Sequence, residues 1–346
     1  MTTVALRIHT KNGPTLRALG LGFAILLSAT YCLIVLGALV RANGAGLACP
    51  DWPLCFGQVV PEFDVKIAFE WGHRTVAGII SSLFLALSIL ALRNREARAV
   101  VGRLLPVAVA VLVLQIFLGA LTVWKFLAYW SVTSHLLAGN AFAVLLLFLA
   151  LGLMEAARPT SRERVSVTRP IRGLIVGTLA ILIVQVGLGG MVSSLYAGMA
   201  CPDWPMCSSG QFAPTLLGAQ GVHVLHRLGA YSLIALLGIG AWQTRAIPQL
   251  ANLCAVAFLI GIAQLAVGIA NVLLRIPVEV TGLHSALAAS LVLVLAMTTR
   301  EALRGLPKGR TAADRGDRAP EPSECRIPAE AVTASGVPTT LADRGI

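Results

Sequence analysis

The sequence predicts an all-α integral membrane protein whose eight transmembrane helices form two pseudo-symmetric four-helix bundles. Two observations lead to this fold class. Eight long apolar segments occur along the chain, and chemical markers of the first half recur in the second half. Together they predict an N-terminal bundle over residues 19–153 and a C-terminal bundle over residues 173–299.

The low charge of the chain identifies a bilayer as its solvent. Apolar residues make up 57% and charged residues 12% of the 346 residues, whereas a soluble domain carries roughly 25% charged residues. A helix needs about 20 apolar residues to cross the hydrocarbon core. Eight segments meet this requirement: Leu19–Val40, Trp71–Leu92, Leu104–Trp124, Ser131–Leu153, Gly173–Val192, Gly221–Trp242, Gln249–Leu274 and Val280–Thr299.

Lys and Arg are distributed unevenly between the two sides of these spans. One side carries 21 of the 27, in residues 1–18, 93–103, 154–172 and 300–346 and at Arg245. The positive-inside rule places this side, and both termini, in the cytoplasm. We expect a cytoplasmic N-terminal segment at 1–18, a linker at 154–172 and a disordered tail at 300–346. The net charge of +11 lies mostly in these regions, so it does not indicate nucleic-acid binding.

An internal repeat relates the two halves. Residues Ala48–Cys55 read Ala-Cys-Pro-Asp-Trp-Pro-Leu-Cys, and Ala200–Cys207 differ only by Met for Leu, 152 residues later. Three further markers recur at offsets of 149 to 153 residues: His73-Arg74 with His226-Arg227, His135 with His284, and Gln115-x-x-x-Gly119 with Gln264-x-x-x-Gly268. Each repeat contains an even number of spans, so both halves have the same orientation in the bilayer.

Histidines mark the outer ends of the even-numbered spans. Five of the six histidines lie there: His73, His135, His223, His226 and His284. Two imidazoles from facing helices suit axial ligation of a heme iron, whereas zinc needs three or four ligands. The repeat aligns His226 with His73, so His226 is predicted as the ligand in preference to His223. The alternative for such residues is hydrogen bonding between helices.

One acidic residue distinguishes the two halves. Glu70 lies three residues before His73, on the same helical face, and its counterpart in the second half is His223. A carboxylate that lies beside one of the two sites and not beside the other predicts a catalytic role at that site. The alternative is an ion pair between Glu70 and Arg74. Arg74 and Arg227 are candidates for heme propionate contacts, or for arginines that snorkel to the membrane boundary.

Cysteine pairs enclose the two repeated loops. Cys49 and Cys55, and likewise Cys201 and Cys207, lie outside the membrane, where disulfides persist. Each bridge would close a short loop and contribute only about 2 to 2.5 kcal/mol to stability. A redox role and a structural role are therefore both open.

Uncharged polar residues inside the spans are expected to hydrogen-bond between helices. They are Gln115, Gln185, Gln264, Asn140 and Asn271. The spans contain no Asp, Glu or Lys, which argues against a proton-coupled transporter.

These residues together resemble the heme A synthase family over roughly residues 20–300. The motifs that carry the resemblance are Glu70-x-x-His73-Arg74, His135, His226-Arg227, His284 and the two Cys-Pro-Asp-Trp-Pro-x-Cys loops. The resemblance implies that heme O binds between His73 and His135. There a ring methyl would be oxidised to a formyl group by successive hydroxylations, with oxygen from water. It also implies a b-type heme cofactor held by His226 and His284.

The resemblance has further implications for location and partners. It implies a bacterial plasma membrane, heme ligands near the outer face, a heme O synthase as supplier and an electron acceptor, and it is compatible with a homo-oligomer. Two other classes remain as alternatives. One is a diheme membrane carrier that only transfers electrons, and the other is a membrane thiol–disulfide oxidoreductase centred on the cysteine loops.

Overall fold

The computed structural model describes residues 13–158 and 167–304. These ranges contain the α-helices α1 Gly13–Ala42, α2 Val65–Arg93, α3 Arg95–Val101, α4 Leu105–Trp124, α5 Tyr129–Ala156, α6 Arg169–Ser194, α7 Gly218–Thr244, α8 Pro248–Leu273 and α9 Val278–Arg304, with a 3-10 turn at Ala197–Met199. All of these α-helices except α3 are long and apolar enough to cross a membrane. The prediction of an all-helical fold with eight candidate spans is confirmed.

Several helices continue beyond the apolar segments that predict them. The second helix begins at Val65, six residues before its apolar segment, because the Asp64 side chain accepts hydrogen bonds from the amides of Lys66 at 2.9 Å and Ile67 at 3.3 Å. Such a side-chain cap satisfies amides that have no partner within the helix. Hydropathy therefore locates the part of a helix inside the hydrocarbon, and polar caps decide where the helix ends.

Each predicted bundle is built from neighbouring helices. In the first half, α1 packs against α2 and α5, and α4 packs against α5. In the second half, α6 packs against α7 and α9, and α8 packs against both α7 and α9. Contacts of α1 with α9 and of α5 with α6 join the halves. In the first half, Phe84 makes edge contacts with Phe23 and Phe142, at ring-centroid distances of 6.2 and 5.1 Å.

The repeat extends to the backbone of two equivalent turns. The turn before α5 has positive φ at Phe126 (49°) and Leu127 (58°), and the turn before α9 has positive φ at Arg275 (64°) and Ile276 (61°). The amide of Leu127 donates to the carbonyl five residues earlier at 2.8 Å, and that of Ile276 does the same at 2.7 Å. Bulky residues adopt this conformation only when their surroundings impose it. The two halves thus share local geometry as well as sequence.

The last turn of α9 lies in the region predicted as a disordered tail. This helix continues to Arg304, so the boundary predicted at residue 300 is displaced. Arg300 donates to both carboxylate oxygens of Glu155, at 2.9 and 2.7 Å, and Arg304 also pairs with Glu155. These ion pairs join α9 to the end of α5. The remainder of the predicted tail at 305–346, residues 1–12, and residues 159–166 of the linker lie outside the described residues.

Candidate functional site

Four histidines lie close to glycines of neighbouring helices. The pairs are His73 on α2 with Gly37 on α1, His135 on α5 with Gly119 on α4, His226 on α7 with Gly189 on α6, and His284 on α9 with Gly268 on α8. A Cβ atom on any of these glycines would lie 3.0 to 3.1 Å from Cε1 of the ring. A larger residue at these positions would therefore displace the imidazole.

The four rings are half-buried, and two lie in each half of the chain. His73 and His135 lie on helices of the first half, and His226 and His284 lie on helices of the second. The sequence predicts that the two histidines of each half form a pair of ligands. Both pairs lie at the end of the helical assembly that carries the two cysteine loops, which we call the cysteine-loop end.

Glutamine side chains contact three of the four rings. Gln115 Nε2 lies 3.4 Å from Nε2 of His135, Gln185 Nε2 lies 3.1 Å from Nδ1 of His226, and Gln264 Nε2 lies 3.2 Å from Nε2 of His284. The interhelical hydrogen bonds predicted for these glutamines are therefore directed at the proposed ligands.

The ring nitrogens fit a heme iron. Among the described residues, Nδ1 of His73, His135 and His284 is buried without a hydrogen-bond partner. A buried polar atom normally has one, so these positions call for an explanation such as a bound group. Within 13–158 and 167–304, no group of three or more His, Cys, Asp or Glu side chains converges as a zinc site requires. Two paired imidazoles match the axial ligands of a heme.

His223 lies in a different environment. It is buried, its Nδ1 lies 2.9 Å from the carbonyl oxygen of Ala197, and its Nε2 accepts a hydrogen bond from Nε of Arg227 at 3.3 Å. Both ring nitrogens are used within the protein. This arrangement favours His226 as the ligand on this helix.

Glu70 is buried beside the first cysteine loop. Only 5% of its surface is exposed. Its Oε1 accepts a hydrogen bond from Arg74 at 2.6 Å, and its Oε2 accepts one from the backbone amide of Cys49 at 2.8 Å. The ion pair considered from the sequence is therefore present, and it lies in the interior.

The two arginines hold the cysteine loops in the same way. Arg74 donates to the carbonyl oxygens of Asp51, Leu54 and Cys49 at 2.6 to 3.2 Å. Arg227 donates to the equivalent carbonyls of Asp203, Met206 and Cys201 at 2.7 to 3.1 Å. Each guanidinium group thus fixes a loop over its helix. Spacing along the chain could not reveal this role, because it depends on the folded path of the loop.

Both predicted disulfides are present. Cys49 pairs with Cys55 and Cys201 pairs with Cys207, and each of the four residues is at most 1% exposed. In the first loop, Asp51 accepts hydrogen bonds from the amides of Gly57 at 2.8 Å and Phe56 at 2.7 Å. These amides hold the pKa of the Asp51 carboxyl below its usual value. The loops are therefore compact and internally bonded.

The close glycines were not identified as functional from the sequence. Gly119 and Gly268 appeared only as parts of a repeated pattern four residues after a glutamine. Gly189 also follows Gln185 by four residues, and that third occurrence was the available signal. The contact itself depends on how neighbouring helices pack, which one helix's sequence does not specify.

Comparison with known proteins gives a consistent result. The chain is similar to proteins named heme A synthase from Shewanella oneidensis, at 31% identity over 77% of this chain and 91% of the relative, and from Shouchella clausii, at 30% identity over 76% and 89%. A third, from Geobacillus kaustophilus, is 29% identical over 78% and 89%. The family model COX15-CtaA, described as cytochrome oxidase assembly protein, matches residues 22–296. The chain therefore belongs to the COX15-CtaA family of cytochrome oxidase assembly proteins.

Proposed function

We propose that this protein is a heme A synthase, an oxidoreductase that converts a ring methyl of heme O to a formyl group for use in heme–copper terminal oxidases. Family membership and the names of the relatives support this assignment. The observation in the structure that carries it is the set of two histidine pairs. Their half-buried rings lie against glycines, and three of the rings have a buried nitrogen without a partner.

The first half is assigned to the substrate. His73 and His135 would hold heme O as axial ligands. The overall reaction consumes one water and gives one formyl oxygen, four protons and four electrons per methyl group. Glu70 is the residue of this half suited to accept a proton from the reacting methyl, because it lies one helical turn from His73. Arg74 would hold that carboxylate in position, since its guanidinium group bonds Oε1.

The second half is assigned to the cofactor. His226 and His284 would hold a b-type heme, which supplies one-electron redox chemistry when bound. The amide nitrogens of Gln185 and Gln264 lie beside these two rings, and His223 is engaged by Ala197 and Arg227. Propionate contacts of Arg74 and Arg227 remain part of the proposal, since each arginine follows a proposed ligand by one residue along the chain. Each guanidinium group also lies beside a cysteine loop.

The charge distribution and the bacterial relatives support a location in the bacterial plasma membrane. The chain is a multi-pass membrane protein with two four-helix bundles over 19–153 and 173–299, and we place it in the bacterial plasma membrane. The distribution of Lys and Arg puts both termini in the cytoplasm and the cysteine-loop end outside. A heme O synthase would supply the substrate, and a separate electron acceptor would take up the four electrons.

The buried disulfides argue against a thiol–disulfide oxidoreductase. Exchange requires a thiolate to reach a disulfide sulfur, and all four cysteines are at most 1% exposed. A structural role for both bridges agrees better with this burial. A diheme electron carrier would use both histidine pairs, but it has no use for Glu70.

Extraction of heme from purified protein tests the assignment. The protein is expressed with and without a heme O source, and the extracted hemes are identified by chromatography. A synthase yields heme B in both cases, and heme O and heme A when heme O is supplied. Extracts that contain only heme B under both conditions would identify an electron carrier.

A further inference from the structure

One interface between neighbouring helices differs between the two halves. In the second half, α7 packs against α8. By the repeat, α7 corresponds to α2 and α8 corresponds to α4, since His226 aligns with His73 and Gln264 aligns with Gln115. The contact between α2 and α4 is only marginal, although α2 packs well against α1 and α4 packs well against α5. The first bundle is therefore more open on this side than the second.

Glycines bring α7 and α8 together. A Cβ on Gly261 of α8 would lie 2.7 Å from Cδ1 of Leu237 and 3.1 Å from Cδ1 of Ile234, both on α7. A Cβ on Gly238 of α7 would lie 3.3 Å from Cε2 of Phe258 on α8. Small residues at an interface let two helices approach each other closely within a membrane. The close packing of α7 on α8 therefore depends on glycine at these two positions.

Leucines occupy both equivalent positions of the first half. At the offsets of the repeat, Leu85 on α2 corresponds to Gly238, and Leu112 on α4 corresponds to Gly261. Leu112 is buried in the apolar core of its bundle, whereas Leu85 is 45% exposed. Ile116 lies one turn after Leu112, on the same face of α4, and is 42% exposed. The larger side chains prevent the close approach that the glycines allow, and they leave an apolar groove between Leu85 and Ile116, which we call the α2–α4 groove.

The connection between α2 and α4 also separates these helices. Residues 245–247 join α7 to α8, whereas the longer segment 94–104 joins α2 to α4 and contains α3. Ala97 and Val101 of α3 are buried in the apolar core of the first half, and α3 packs against both α2 and α5. A packed helix thus lies between the ends of α2 and α4 that are far from the cysteine loops.

The α2–α4 groove is continuous with the first histidine pair. Ile116 lies one turn before Gly119, the glycine in contact with the ring of His135. On α2, Leu85 follows His73 by 12 residues, about 18 Å along the helix axis. The groove therefore extends from the level of the proposed ligands into the hydrocarbon core, which is about 30 Å thick. Its apolar side chains suit a hydrocarbon chain.

We propose that the α2–α4 groove receives the isoprenoid tail of the substrate heme from the bilayer, and that the closed α7–α8 interface excludes a tailed heme from the second half. This inference rests on the proposed function and deepens it. Heme O carries a long isoprenoid chain that heme B lacks, so a bundle that binds heme O must leave room for that chain. Leucine or glycine at the two equivalent positions would thus let each half select its own heme.

Heme binding to the purified full-length protein tests the groove. Protein that holds heme B in its second half is titrated with heme O or with further heme B, and absorption spectra report ligation by the first histidine pair. Leu85→Trp combined with Ile116→Trp fills the groove. It should weaken heme O binding about tenfold or more, as overpacking typically does, and leave heme B binding within twofold of the parent. Ile79→Trp is the matched control, since Ile79 is 54% exposed on a different face of α2.

Photolabelling of the unaltered protein tests the same groove without a substitution. The probe is a heme O analogue with a diazirine at the end of its tail, and mass spectrometry identifies the labelled peptides. Labels should appear on the peptides of α2 and α4 that contain Leu85 and Ile116, and not on α7 or α8. Labels confined to other helices would overturn the proposal, and so would equal weakening of heme O and heme B binding in the double tryptophan variant. Labelling does not require catalysis, so a labelled groove in a protein that forms no heme A would refute the proposed synthase activity and support the groove.

Discussion

The backbone amide of Cys49 donates a hydrogen bond to Oε2 of Glu70 at 2.8 Å. The first disulfide loop is therefore attached directly to the carboxylate that we assign to catalysis. The second half lacks this connection, because His223 contacts Ala197 and Arg227 in place of a cysteine amide. The two disulfides should accordingly contribute to activity in different ways, although their loops have the same length.

Breaking the first disulfide should lower activity more than breaking the second. Each bridge contributes only about 2 to 2.5 kcal/mol by loop closure, so Cys49→Ser and Cys201→Ser should both yield folded protein in the membrane. Cys49→Ser frees the loop that fixes Glu70, and heme A formation should fall more than in Cys201→Ser. Immunoblots measure the amount of protein in the membrane, and chromatography of extracted heme measures heme A formation. Equal losses of activity would contradict the connection through Glu70.

The ligands of the second half can be identified by spectroscopy. His226→Ala or His284→Ala should remove the low-spin b-type signal, because each change deletes an axial ligand. His223→Ala should retain the signal, since both ring nitrogens of His223 are engaged within the protein. Reduced-minus-oxidised absorption spectra distinguish these results. A normal spectrum in His226→Ala would mean that the repeats are misaligned and that His223 is the better candidate.

The eight helices could be predicted from the sequence because apolar length is a pattern within the chain, and the histidine pairs are a prediction from the internal repeat. Apolar length defines a span, and the repeat relates His73 to His226. Sequence reasoning could not predict contacts that depend on packing between helices or on loop conformation. The close contact of Gly37 with His73 depends on how two helices pack. The hydrogen bonds of Arg74 to the loop carbonyls depend on the conformation of the loop. Spacing along α2 likewise indicates the Glu70–Arg74 pair but not that the first cysteine loop folds over it and leaves the two side chains only 6% and 15% exposed.

The glycine that contacts His226 should be required for heme retention. A Cβ on Gly189 would lie 3.1 Å from Cε1 of the ring, so Gly189→Ala must displace either the ring or the helix. We expect about a tenfold loss of bound heme B, comparable with the loss of an orienting contact. Gly177→Ala, on the same helix, is the control, since a Cβ there meets no atom within 4 Å. Equal heme content in the two variants would show that the close contact is not needed.

Reporter fusions can test the orientation. The Lys and Arg distribution places residues 43–64 outside and residues 157–168 inside. A reporter active only outside the cytoplasm should work when fused within the first region and fail within the second. The opposite result would reverse the orientation and place both disulfides in a reducing compartment.

Glu70→Gln is the decisive variant for the enzyme assignment. The glutamine keeps the shape of the side chain and can still accept the amide of Cys49, but it carries no charge. If Glu70 takes up a proton during oxidation of the methyl group, heme A formation should fall about 10²- to 10⁴-fold, the usual contribution of general acid–base catalysis. Heme O or a hydroxylated intermediate should accumulate, as measured by chromatography of extracted heme. Glu279→Gln, in the exposed first turn of α9, is the matched control.

The same variant separates catalysis from structure because the ion pair with Arg74 is buried. Removal of one partner from a buried pair typically destabilises a protein by about 3 to 5 kcal/mol. Arg74, however, keeps its hydrogen bonds to the carbonyl oxygens of Asp51, Leu54 and Cys49. A catalytic role therefore predicts normal levels of protein and of heme B with little heme A. A purely structural role predicts that the protein, heme B and heme A are all lost together. Heme A formation at the parent rate would exclude the catalytic role, and a diheme carrier would then be the better description of the two histidine pairs.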